Sequence, residues 1–141
     1  MDPVEVLVVE DNPGDILLLE EALLGAGLAY RIRVVRNGEE ATDYLLQQGE
    51  HRGAARPELI VLDLKLPRKN GREVLADILA DPALSTIPLV ILSSSRSELD
   101  AARSSGLPKG SYMTKPTTFQ GYEDLVESIE AFRLKPQPHS S

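Results

Sequence analysis

A doubly wound α/β fold around a parallel sheet is what this sequence predicts, and three observations predict it. Short apolar, β-branched runs recur along the chain at Val4–Val9, Ile32–Val35, Leu59–Leu62, Leu89–Leu92 and Tyr112–Met113. Between them lie stretches whose apolar residues fall at helical spacing, so strands and helices alternate. The strand-like runs are nearly continuous in apolar character, as strands buried on both faces are. Parallel strands joined by right-handed crossovers place helices on both sides of such a sheet.

Taken in order, Val4–Val9 runs into Glu10 and Asp11. Asn12 is placed to cap a helix whose first position is Pro13, where the missing N–H costs nothing. Ile16, Leu19, Ala22, Leu23 and Ala26 share one helical face, and Gly25 and Gly27 are placed to end it. After the strand Ile32–Val35, Asn37-Gly38-Glu39-Glu40 offers a cap followed three residues on by an acid, opening a helix through Ala41, Tyr44 and Leu45. A polar loop, 49–57, leads to the third strand, which ends at Asp63. Val74, Leu75, Ile78 and Leu79 mark the next helix, which Pro82 helps to close. The fourth strand ends at Ser93, and a weaker helix surrounds Leu99 and Ala102. The short strand Tyr112-Met113 precedes a last helix with Tyr122, Leu125, Val126, Ile129 and Phe132 on one face. One domain over residues 1–135 is expected, followed by a flexible tail over 136–141.

Bulk properties narrow the function. A chain of 141 residues suits a single core. It has no cysteine, which excludes disulfides, thiolate metal sites and a cysteine nucleophile. The net charge of −7 argues against nucleic acid as a ligand, because binding by counterion release needs clustered Lys and Arg. Met1-Asp2-Pro3 lacks the basic and then apolar stretch of a secretory signal, and no apolar run approaches membrane-spanning length. A cytoplasmic protein without membrane contact is the expectation.

In open α/β sheets, ligands bind beyond the carboxyl ends of the strands. Glu10, Asp11, Asp63, Ser93 and Lys115, the last beside Pro116, all fall on that rim. Carboxylates that converge raise one another's proton affinity unless a cation sits among them, and hard oxygen donors suit Mg²⁺. Singly, each residue has a plainer reading. Glu10 and Asp11 can cap the following helix, Asp63 can be a turn acid, Ser93 can be part of a polar loop, and Lys115 can be a solvated charge. Tyr112 can be ordinary packing with its hydroxyl in water. His51 and His139, in a loop and the tail, are read as exposed.

Together, Glu10-Asp11, Asp63, Lys65-Leu66-Pro67 with Gly71, Ser93, Tyr112 and Lys115-Pro116 resemble the receiver domain of two-component response regulators over nearly the whole chain. The resemblance implies a flavodoxin-like (βα)5 fold with strand order 2-1-3-4-5. It implies that Asp63 accepts a phosphoryl group from a sensor histidine kinase. Glu10, Asp11, Asp63 and the backbone carbonyl of Lys65 would surround Mg²⁺. Lys115 would neutralise phosphoryl charge, Ser93 would donate to a phosphoryl oxygen, and Tyr112 would rotate inward from outside as Ser93 moves. A cis-proline turn at Lys115-Pro116 is implied as the device that aims the lysine. Two positions depart from the usual pattern. Lys65 is expected to alter the lifetime of the phosphorylated state, and Ser93, in place of the more frequent threonine, lacks the methyl that stiffens the rotamer.

The stretch from Glu10 to Asp15, the loop from His51 to Pro57 and the run from Leu66 to Leu75 resemble single-domain regulators paired with bacterial phytochrome kinases. With no output domain after the last helix, partners are the expected output. These are the kinase, a histidine phosphotransfer protein if phosphate is relayed, and a second copy. Phe119 and the apolar face from Tyr122 to Phe132 exceed what one sheet face needs, which favours a homodimer over a wide core stripe. The resemblance makes the chain a signalling phospho-acceptor that catalyses only its own phosphorylation and dephosphorylation. One rival is an adaptor that has lost phosphorylation, against which intact Asp63, Ser93 and Lys115 count. Another is an aspartyl-nucleophile phosphatase, disfavoured because Lys65 stands where such enzymes carry a second acid.

Overall fold

The computed structural model describes residues 3–27 and 29–134. Five strands, β1 (Val4–Val9), β2 (Tyr30–Val35), β3 (Leu59–Asp63), β4 (Leu89–Ser93) and β5 (Tyr112–Thr114), alternate with five helices. The helices are α1 (Pro13–Leu24), α2 (Gly38–Leu45), α3 (Gly71–Ala80), α4 (Arg96–Ala102) and α5 (Phe119–Leu134). All strand pairs are parallel, as the apolar runs predicted, and the order is β2-β1-β3-β4-β5, the arrangement the family resemblance implied.

The pleat explains the two cores. Leu7 and Val9 point to one face with Ile60, Leu62 and Ile91, where α2, α3 and α4 cover them. Val6 and Val8 point to the other with Val61, Val90 and Leu92, under α1 and α5. Because β3 and β4 are buried at every position, their unbroken apolar runs are what a central parallel strand requires. Helix starts follow their caps: the side chains of Asn12, Asn37 and Asn70 accept from the backbone N–H groups of Asp15, Glu40 and Glu73.

Close backbone approaches hold the segment after β3. A Cβ at Gly71 would lie 2.4 Å from Leu64 Cα and 2.5 Å from the Asp63 carbonyl, and one at Gly38 would lie 1.8 Å from the Lys69 carbonyl. Only glycine lets α3 and α2 come this near.

Four expectations change. Every described peptide bond is trans, Lys115-Pro116 included. The lysine needs no cis turn, because its N–H donates to the Ser93 carbonyl at 3.0 Å and continues the β5 ladder to the rim. His51 is 7% exposed, edge-on to Tyr44 with ring centroids 5.1 Å apart, because the loop folds back over α2. The apolar face of α5 is core, with Tyr122, Leu125, Val126, Ile129 and Phe132 all buried under the sheet. The large apolar side chains that remain exposed on that helix are Phe119 and Leu134, so the surplus apolar surface is far smaller than expected. Tyr112 is buried rather than outside, for reasons given with the site. His139 and the 136–141 tail lie outside the described residues. Among the described residues no helix is long and apolar enough to cross a membrane.

Candidate functional site

Glu10, Asp63, Ser93 and Lys115 stand at or just past the carboxyl ends of four adjacent strands and line one open cleft of about 330 Å³ with Asp11, Lys65, Leu66 and Pro67. Backbone hydrogen bonds beyond the strand ends set their positions: Glu10 N–H donates to the Val35 carbonyl and Leu64 N–H to the Leu92 carbonyl, both at 3.0 Å. The sheet therefore extends as a ladder into the site, and the side chains inherit its rigidity.

Lys115 is the hub. Its Nζ donates to Glu10 Oε1 at 2.7 Å, Asp63 Oδ2 at 2.8 Å and Asp15 Oδ2 at 2.9 Å. An ammonium has three protons, and each is committed to a carboxylate. Burial alone would lower the lysine's proton affinity, but the bonds to Asp63, Glu10 and Asp15 hold it above the ordinary range, so the group stays charged. The other Asp63 oxygen, Oδ1, accepts from Lys65 N–H at 3.0 Å. Glu10 Oε2 accepts from the N–H groups of Asp11 and Asn12 at 3.0 and 3.1 Å. Burial, and then the close approach of Asp63, push the Glu10 carboxyl up to about 7, against the opposing pull of Lys115.

Glu10, Asp11 and Asp63 can each offer an oxygen within 4.8 Å of the others. Two of these acids are buried, and only Asp11 is exposed. Several hard anionic oxygens in an open, water-accessible cleft fit a divalent cation that keeps part of its hydration shell, as Mg²⁺ does.

Ser93 is 2% exposed, and its hydroxyl donates to Glu98 Oε1 at 2.6 Å and accepts from Ser95 N–H at 3.0 Å. Tyr112 is 8% exposed with its ring inside. Its hydroxyl donates to the Ala102 carbonyl at 3.1 Å, accepts from Leu107 N–H at 3.3 Å and lies 2.8 Å from Ser105 Oγ, while the Arg103 guanidinium covers the ring. The polar groups at the end of α4 thus replace water for the hydroxyl and draw the ring inward.

Asp15 and Glu98 were not among the residues picked from the sequence. Asp15 binds Lys115 and also accepts from the Tyr122 hydroxyl at 3.1 Å, which ties α1, the lysine and α5 together. A first-turn acid is so common as a helix cap that it gives no signal. Glu98 three residues beyond Ser95 does form a recognisable capping pattern, and it was legible.

The sequence model of one family, described as response regulator receiver domain, matches residues 6–130. The response regulator Rcp1 of Synechocystis sp. is 40% identical over 133 residues, covering 94% of this chain and 90% of that protein. A crystal structure of the phosphorylated cyanobacterial phytochrome response regulator RcpA superposes with a TM-score of 0.86 at 43% identity, covering 98% of this chain and all of that one. The Mn(2+)-bound form of Rcp1 superposes with a TM-score of 0.84 at 35% identity, over 97% of this chain and 100% of that one.

Proposed function

Since this chain belongs to the response regulator receiver domain family, we propose that it takes a phosphoryl group from a sensor histidine kinase onto Asp63 and changes its partner surface in response. The observation that carries the reading is the Lys115 ammonium, held 2.8 Å from Asp63 Oδ2 at the floor of an acidic cleft. In this reading an Asp63 oxygen attacks phosphorus, the P–N bond to the kinase histidine breaks, and its electron pair returns to the imidazole. The transferring group carries charge on three equatorial oxygens, so positioning and positive charge supply most of the catalysis.

Lys115 provides one fixed charge and aims the nucleophile. Lys65 N–H holds the second Asp63 oxygen and limits rotation of the carboxylate. Glu10, Asp11, Asp63 and the Lys65 carbonyl would hold Mg²⁺, which supplies further positive charge to the phosphoryl oxygens when bound. Ser93 would donate to a phosphoryl oxygen after transfer. Tyr112 serves the switch by fixing the end of α4 rather than by swinging in. The exposed Lys65 side chain lines the cleft and sets the lifetime of the phosphoryl group.

The receiver domain spans 1–135 in this reading, and its only catalysis is on itself. It works in the cytoplasm, with a bacterial phytochrome as the kinase, a reading supported by the likeness to RcpA, a cyanobacterial phytochrome response regulator. A histidine phosphotransfer protein is a further partner if phosphate is relayed. Self-association through the groove between α1 and α5 is supported by exposed Phe119 and Leu134 at its sides. Sedimentation that finds only monomer at high micromolar concentration removes this last part.

The central test is transfer of label from a phosphorylated kinase or a small phosphodonor, with Mg²⁺ or a chelator, to the native chain and to Asp63→Asn. Label is expected on the native chain alone and only with the metal. Equal labelling of Asp63→Asn would refute the assignment.

A further inference from the structure

Ser93 lines the cleft, yet its one proton is directed out of it. Its Oγ donates to Glu98 Oε1 at 2.6 Å and accepts from Ser95 N–H at 3.0 Å, while Ser95 Oγ accepts from Glu98 N–H at 3.2 Å. The start of α3 shows the same pair of positions in a closed form. There Asn70 Oδ1 accepts from Glu73 N–H at 3.0 Å and Asn70 N–H donates to Glu73 Oε1 at 3.2 Å, completing a capping box. In α4, Ser95 and Glu98 hold the equivalent positions, but the return arm is open and the Ser93 hydroxyl stands inside it.

We propose that Glu98 is a positioning residue that holds Ser93 in a resting arrangement and sets how hard a phosphoryl group on Asp63 must compete for its proton. The proposal rests on the reading of Asp63 and Ser93 given above. A hydroxyl has a single proton to donate, so Ser93 serves either the Glu98 carboxylate or a phosphoryl oxygen. When it leaves, the carboxylate can close on Ser95 N–H and complete the box, as Glu73 does in α3. Every polar group is satisfied in both arrangements, the condition for two states close in free energy. Tyr112 holds the other end of α4 through the Ala102 carbonyl, so a rearranged first turn shifts the helix start against a fixed end.

The charge on Glu98 is the adjustable part. A hydroxyl bonds a carboxylate roughly twice as strongly as a neutral amide, whereas glutamine completes a capping box as well as glutamate does. Glu98→Gln therefore weakens the resting contact and spares the alternative one. The test titrates beryllofluoride, a phosphoryl mimic, with Mg²⁺ on the full chain as native, Glu98→Gln, Ser93→Ala and the double variant. Glu98→Gln should tighten binding by about fivefold in the native background. In the Ser93→Ala background the gain should fall below about twofold, the residue of removing one nearby charge. Equal gains in both backgrounds, or no gain in the native one, would overturn the proposal while leaving the Asp63 assignment intact. A native chain that fails to bind beryllofluoride in Mg²⁺ would sink both.

Discussion

Replacing Lys115 with methionine removes the ammonium that, among the described residues, pairs with Glu10, Asp15 and Asp63, and keeps the apolar stem. Glu10 and Asp63 are 4% and 3% exposed, so they would stand side by side with little water to screen them. Breaking a buried ion pair by removing one partner costs about 3–5 kcal/mol. The open side of the cleft and proton uptake by Glu10 reduce this, so a loss of about 3 kcal/mol is expected at pH 8.5 in chelator, or roughly 10 °C in Tm for a domain of this size. The loss should shrink at lower pH. Glu10 is a carboxyl whose folded value, about 7, lies above its unfolded value of 4.5. The folded state therefore binds more protons between those values, and this contribution to stability is full below pH 4.5 and is lost as pH rises through 7. In the variant, a neutral Glu10 also removes the repulsion from Asp63. Mg²⁺ should raise Tm more in the variant than in the native chain, because it restores positive charge among the same oxygens. Circular dichroism melts at pH 8.5 and 5.5, with chelator or with saturating Mg²⁺, supply the four comparisons. Native-like melting of Lys115→Met in chelator at pH 8.5 would refute the claim that these acids depend on the lysine.

Gly71→Ala should lower stability by about 2–3 kcal/mol in urea unfolding, since the new methyl meets backbone at Leu64 and the Asp63 carbonyl, and it should also slow phosphoryl transfer by displacing the acceptor. Tyr112→Phe should cost about 1–2 kcal/mol in the same assay, because the Leu107 N–H and Ala102 carbonyl lose a buried partner.

Much of this molecule is written in local pattern. The apolar runs of β3 and β4 announce central parallel strands, the asparagines before α1 and α2 announce helix starts, and a strand-end rule then places Glu10, Asp63, Ser93 and Lys115 on one rim without coordinates. Side-chain partners are another matter, because they are set by segments that meet only when the chain closes. Asp63 and Lys115 are 52 residues apart, and Asp15 and Tyr122 are 107 apart. No local rule separates Asp15, bound to the lysine, from any first-turn acid. The same holds for Tyr112, drawn inward by carbonyl and N–H groups at the end of α4, and for the α5 stripe, whose full burial depends on how closely that helix lies on the sheet. Periodicity decides which residues form each element, and packing in three dimensions decides which atoms those residues finally touch.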